Sequence, residues 1–169
     1  MTKFRRLSLV ILVLLFCTGC DRVTKDLAQK MLASAPPVSL LHDAIRIEYR
    51  ENPGAMLSLG ANLPGQARFI LFVLFVGLLL AVTLGYAIKG HGLNSSQLFG
   101  LALVTSGGIG NFLDRLLNNG AAIDFMNIGI GPVRTGIFNV ADLLIVAGIA
   151  VFIVSSAGIR TRAASKTDA

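Results

Sequence analysis

The chain has 169 residues, 54% hydrophobic and only 14% charged, with a formal charge of +6. So little charge, gathered in clusters, excludes an ordinary soluble domain of this size. A basic excess alone is no argument for nucleic acid in a chain mostly suited to lipid, and no nucleic-acid partner is expected.

Lys3, Arg5 and Arg6 lead into the uncharged stretch Leu7–Cys20. A helix needs roughly 20 apolar residues to cross a bilayer. This stretch reaches that length, as a first span over about 5–22, only when Arg5, Arg6 and Arg22 snorkel outward. The basic start, the apolar run and Cys17-Thr18-Gly19-Cys20 also resemble a lipoprotein signal, which would make Cys20 a lipidated N-terminus. Retention as helix one is the preferred reading, because Asp21-Arg22-Val23-Thr24-Lys25 carries chemistry of its own. Residues 22–35 interleave apolar Val23, Leu27 and Met31 with Lys25, Asp26 and Lys30. That pattern predicts either a continuation of helix one or a surface amphipathic helix.

Pro36-Pro37 ends that segment. In the outer loop, about 23–67, Ile45, Ile47 and Tyr49 alternate with Arg46, Glu48 and Arg50, which predicts a strand. Asn52-Pro53-Gly54 marks a turn, and Ala55–Leu59 is expected to return as the second strand of a small β-layer. The second, third and fourth spans are expected over about 68–89, 96–117 and 137–158. Asp142 is the one charge within Thr135–Ile159. Gly107-Gly108-Ile109-Gly110 predicts a close-packing helix face and lacks the lysine of a phosphate loop. The outer segment Asn118–Gly136 reads as a short glycine-rich connection, and the tail over about 160–169 as disordered. The fold class is thus a mainly α membrane protein of one domain, with four transmembrane helices and a small β-layer outside the membrane.

Charge leaves the orientation open. Lys/Arg residues 3, 5, 6, 89, 160, 162 and 166 share one side, and 22, 25, 30, 46, 50, 68, 115 and 134 lie elsewhere. Basic residues favour the cytoplasm when they flank spans closely, which several of the second group do not.

With alternating spans, Asp21, Lys25, Asn52, Asn111, Asp114, Arg115, Asp124, Asn139 and Asp142 fall at one membrane depth. Asn111 shares a helix face with Asp114 and Arg115, and Asn139 shares one with Asp142. Ionisable groups in membrane segments are expensive and by default mark function. The bland alternative is that Asp114 and Arg115 only cap or pair within the bundle. No residues have zinc-ligand spacing and no serine sits in a nucleophile elbow, so neither metal nor cofactor is expected. Two carboxylates sharing one proton can hydrolyse an amide, one activating water and the other polarising the carbonyl. Asp124 and Asp142 are candidates for that pair.

At these positions the chain resembles bacterial lipoprotein signal peptidase (signal peptidase II). The resemblance is carried by Asp21-Arg22-Val23-Thr24-Lys25, Asn52-Pro53-Gly54-Ala55, the block from Gly108 to Arg115, Ile123-Asp124-Phe125 and Phe138-Asn139-Val140-Ala141-Asp142, in the family's order. It implies an intramembrane aspartyl endopeptidase of the bacterial inner membrane, with both termini cytoplasmic and the active site near the periplasmic face. The implied substrate is a diacylglyceryl-modified prolipoprotein, cut just before its lipidated cysteine. The resemblance makes Asp124 and Asp142 the catalytic dyad. Asp21, Lys25, Asn52, Gly54, Asn111, Asp114, Arg115 and Asn139 would bind substrate or support the site. Membrane lipid is the expected surrounding, and a monomer the expected state. The chain departs from the family pattern at Arg22, at Met56-Leu57-Ser58 and at Cys17-Thr18-Gly19-Cys20. Rival readings are a transporter or channel using Asp142 and Arg115, or a membrane protein lipid-anchored at Cys20.

Overall fold

The computed structural model describes residues 1–55 and 58–167, with side chains through residue 157. Helix α1, Lys3–Leu32, opens with the Thr2 hydroxyl accepting from the Arg5 amide at 3.3 Å. At about 1.5 Å per residue its 30 residues outrun a hydrocarbon core of roughly 30 Å. The last turns therefore stand clear of the apolar run, so of the two readings for residues 22–35 the continuation of helix one is observed.

Two strands follow, β1 (Val38–Leu40) and β2 (Ile45–Asn52). The hairpin tip between them takes Leu41, His42 and Asp43 through left-handed φ values of 52°, 53° and 70°. Asp43 ties this tip down by accepting from Ser39 Oγ and from Arg46. The next apolar element is one continuous rod: α2 (Gly65–Phe69), a π-helical stretch (Ile70–Phe75) and α3 (Val76–Lys89). Helix α4, Ser95–Leu117, starts with a reciprocal cap between Asn94 and Gln97. Strands β3 (Ala122–Ile130) and β4 (Val133–Arg134) precede α5, Val140–Thr167. The four strands form an antiparallel sheet in the order β1-β2-β3-β4. Its central pair sets Arg50 opposite Asp124 and Asn52 opposite Ala122.

Three helices among the described residues are long and apolar enough to cross a membrane: Lys3–Leu32, Gly65–Lys89 and Val140–Ala157. Their outward faces expose Leu12, Leu15, Phe16, Leu78, Val82 and Ile153, a surface suited to lipid. Helix α4 lies among them and buries Thr105, Ser106, Gly107, Gly110 and Asp114. It meets α5 almost backbone to backbone. A Cβ on Gly148 would lie 2.5 Å from the Gly100 carbonyl oxygen, and one on Gly107 would overlap the Ala141 carbonyl. This is the close-packing face expected at Gly107–Gly110. At the end away from the sheet, Val10, Ala87 and Leu98 form a small apolar cluster.

Several expectations are corrected. Residues 118–136 are not merely a loop, since β3 and β4 arise there and β3 is the long partner of β2. The returning strand expected at Ala55–Leu59 is not β2's partner: β1 and β3 flank β2, while Met56 and Leu57 lie outside the described residues. Helix α5 begins at Val140 rather than near 137, because Asn139 caps it instead of lying inside it. Its backbone is helical to Thr167; the end of the tail expected to be disordered, 168–169, lies outside the described residues, as do the side chains from 158.

Candidate active site

The site is built around the first turn of α5. The Asn139 side-chain oxygen accepts from the Asp142 amide at 3.0 Å, and the Asp142 carboxylate accepts from the Asn139 amide at 3.1 Å. This is a reciprocal capping box with Asp142 at its third helical position, where a carboxylate also meets the positive end of the helix dipole. A second orphan donor of that turn, the Ala141 amide, goes to Asp21 at 2.8 Å. The body of α1 and the start of α5 are thereby joined through a helix cap contributed by a residue 120 positions away.

Asn139 also reaches the other candidate carboxylate. Its Nδ2 donates to Asp124 Oδ1 at 2.6 Å and lies 3.0 Å from Asn111 Oδ1 and 3.1 Å from the Ile123 carbonyl. Asp124 sits in β3, not in a loop, and is 2% exposed. Its second oxygen accepts from Asn52 Nδ2 at 2.9 Å. The Asn52 side chain further accepts from the Gly54 amide at 2.9 Å, which explains the Asn-x-Gly spacing. A Cβ at Gly54 would meet the Ser58 and Leu59 carbonyls at 2.7 and 2.6 Å, so this turn admits only glycine.

Asn111 joins the remaining members. Its Nδ2 donates to Asp142 at 2.8 Å, and its Oδ1 accepts from Lys25 Nζ at 2.9 Å. Lys25, wholly buried, spends its other two protons on Asp21 and Asp114, both at 2.8 Å. Asp114 in turn accepts from Arg22 at 3.1 Å and from the Ile123 amide at 3.0 Å, fastening β3 to α4. A buried lysine with three satisfied donors between two carboxylates meets the condition under which buried charge is tolerated. Asp114 thus pairs within the bundle with Lys25 and Arg22 rather than with its neighbour Arg115. Arg115 donates to the Asn111 carbonyl at 3.0 Å and to the Gly54 carbonyl, and its guanidinium stands 5.5 Å from the Phe72 ring centre.

Every polar residue picked out by its membrane depth is therefore part of one connected network. Its geometry brings Asp124 and Asp142 to a single cavity of about 250 Å³, walled also by Phe72, Val76, Gly108 and Ile145. Burial pushes the Asp124 carboxyl up to about 6 from an ordinary 3.8; donation from Asn52 opposes the rise and the charge of Asp142 adds to it. Asp142 also borders an apolar groove formed with Ile128, Phe138, Leu143 and Val146. Two participants escaped the sequence reading. Arg22 looked like a snorkelling flank, and Phe72 is one apolar residue among many in its span. A run of π-helix is a signal of function once seen, but nothing in Ile70–Phe75 announces it in sequence.

Known proteins resemble this chain in sequence and in fold. The family model described as signal peptidase (SPase) II matches residues 12–157. A lipoprotein signal peptidase of Borrelia duttonii is 33% identical over 121 residues, covering 69% of this chain and 70% of that protein. One from Sulfurihydrogenibium sp. is 32% identical over 151 residues, covering 89% and 88%. A bacterial membrane enzyme solved by the in meso method at 2.3 Å superposes with a TM-score of 0.77 at 25% identity, over 90% of both chains.

Proposed function

The chain belongs to the signal peptidase II family, and we propose that Asp124 and Asp142 are the dyad with which it cuts prolipoproteins. It is an integral membrane aspartic endopeptidase acting on diacylglyceryl-modified prolipoproteins, which it cleaves just before the lipidated cysteine. The observation that carries the dyad is Asn139. One side chain and its own amide hold both carboxylates at one cavity.

In the proposed cycle the pair carries one proton. The ionised aspartate takes a proton from water, whose oxygen attacks the scissile carbonyl. The protonated partner donates a hydrogen bond to the carbonyl oxygen as negative charge develops there. Collapse of the tetrahedral species breaks the C–N bond, and a proton from the dyad goes to the leaving nitrogen. Asn52, Asn111 and Asn139 orient the carboxylates; Lys25 and Arg115 hold Asn111, and Asp21 and Asp114 hold Lys25. The groove beside Asp142 offers an apolar wall to a lipid-bearing substrate.

The test is cleavage of a diacylated prolipoprotein by purified, folded Asp124→Asn and Asp142→Asn proteins. Asn keeps the shape but can neither take nor give the proton. Each change should cost on the order of 10²–10⁴ in turnover, and the double change little more. Substantial cleavage by either folded variant would remove the dyad assignment. A transporter built on Asp142 and Arg115 has no need of Asp124, and the bonding of Asn139 to both aspartates weighs against it.

We further propose that α4 also crosses the membrane, as the third of four spans, made less apolar by the polar face it turns inward, with both termini cytoplasmic, the sheet periplasmic and the protein monomeric in the inner membrane. Cysteine labelling at positions 45 and 90 from outside checks this: reaction at both would reject it. Helix one is proposed to be retained. Val10 belongs to the apolar cluster with Ala87 and Leu98, and Thr18 bonds Ser106. The mass of the intact protein tests this, since cleavage before Cys20 would remove those contacts.

A further inference from the structure

A second cavity, of about 320 Å³, opens beside the catalytic one, between the start of the Gly65–Lys89 rod and the end of α4. Arg68 and Arg115 both line it, and no carboxylate does. Among the described residues the Nε atoms of both arginines are buried without a hydrogen-bond partner. A buried Nε–H left unmatched is costly, and in native structures such a donor is usually met by water, an ion or another bound acceptor. The remaining walls include Phe69, Val73 and Leu116. Phe69 and Leu116 are each about half exposed, on the faces their helices turn to lipid.

The geometry points to a site for the phosphodiester headgroup of an anionic phospholipid, with its acyl chains lying along Phe69, Val73 and Leu116. The charge, the unmatched donors and the apolar wall each contribute to that identification. Arginine's planar fork matches phosphate oxygens in pairs. The cavity stands where a membrane-spanning rod leaves the apolar layer, which is headgroup depth. A soluble anion would engage the arginines but gain nothing from the apolar wall. A zwitterionic lipid would use the wall but bring an ammonium towards two cations. Arg115 also lines the dyad cavity. A lipid phosphate on its Nε side would therefore fix the guanidinium whose other donors hold Gly54 and Asn111.

The experiment uses the full chain, delipidated in detergent. It is titrated separately with phosphatidylglycerol, with phosphatidylcholine of the same acyl chains, and with inorganic phosphate. Melting temperature and lipid retained in native mass spectra are the readouts. Phosphatidylglycerol should be retained and should raise the melting temperature. Arg68→Gln should weaken its binding about five- to tenfold, the loss of one cation at a membrane surface. Arg68→Lys, which keeps the charge, should keep the preference for phosphatidylglycerol over phosphatidylcholine, and it decides the matter if Arg68→Gln fails to fold. Equal retention of both lipids would overturn the proposal, as would unchanged binding by folded Arg68→Gln. Equal protection by inorganic phosphate would assign the cavity to a soluble anion and overturn it too. None of these readouts depends on cleavage, so failure here leaves the dyad assignment standing.

Discussion

The sheet end of the molecule and the waist where α4 crosses α5 are both tightly buried, but by opposite means. At the sheet end side chains do the work: Lys25, Asp114, Asn111, Asn139 and Asp124 are joined by bonds of 2.6 to 3.0 Å across α1, α4, β3 and the cap of α5. At the waist side chains are removed: Gly100 and Gly148 let two backbones touch. In lipid no hydrophobic effect pulls one apolar helix to another, so association rests on close packing and on polar bonds. This protein uses packing where only shape is needed and bonds where a carboxylate must be aimed.

The comparison breaks most visibly at Lys25. Replacing it by Met fits the space roughly but leaves Asp21 buried without its cation and Asp114 with Arg22 as its one remaining cation. Breaking a buried ion pair from one side costs about 3–5 kcal/mol. Lys25→Met should lower the melting temperature further than any waist substitution, and turnover of whatever folds should fall, because Asn111 loses a bond that holds it against Asp142. Asp114→Asn strands the same lysine more mildly, and should reduce stability with less effect on turnover. A melting temperature for Lys25→Met equal to wild type would mean that the network is decoration.

Gly148→Ala tests the other half. The added methyl would stand 2.5 Å from the Gly100 carbonyl and 2.8 Å from the Val104 amide, both backbone, so the helices must part. Overpacking of this kind costs about 1–3 kcal/mol. The capping box and Asn139 hold Asp142 independently of that crossing. Melting temperature should therefore drop while turnover per folded molecule is kept. A turnover loss as deep as that of the dyad variants would show that the waist, not the bond network, sets carboxylate geometry.

How much of this could be read beforehand follows the same division. The apolar spans, the β2 alternation and the depth shared by Asp21, Asn111, Asp124 and Asp142 are local patterns, and the chain states them residue by residue. Strand β3 is stated poorly. Gly120, Gly129 and Gly131 punctuate it like a loop, and burial from Ala122 to Phe125 on both faces hides the period-two alternation. Its main partner is β2, far away in the chain, so nothing nearby declares the pairing. Asn139 was legible in principle, since Asn followed three residues later by Asp before an apolar run is a helix start. Its apolar neighbours Phe138 and Val140 blurred that boundary. Which bonds each polar group makes is a tertiary fact, and Arg115 turning to Gly54 rather than Asp114 could not be inferred from spacing.

The finest test concerns protons at the junction of β2 and β3. Asp124 holds its proton up to about 6, mainly because burial penalises the charged form. If the pair must carry one proton to polarise the carbonyl, activity falls as pH rises through that value. Asn52 donates to Asp124 at 2.9 Å and so favours the ionised form. Removing it in Asn52→Ala raises the Asp124 value, and the alkaline limb of the turnover profile should move to higher pH even as turnover itself falls. Stability should respond with a definite sign. A carboxyl whose folded value lies above its unfolded 3.8 binds more protons folded than unfolded between the two values, so its contribution to stability declines as pH rises through that window. Above the window the folded state bears the full cost of a buried anion, and Asn52→Ala deepens that cost. The gap in melting temperature between wild type and Asn52→Ala should thus fall in acid to the constant part left by the lost Gly54 bond and be widest well above the Asp124 value. An alkaline limb that stays put, with a gap independent of pH, would show that Asn52 acts only by holding the Gly54 turn and has no influence on the dyad's charge.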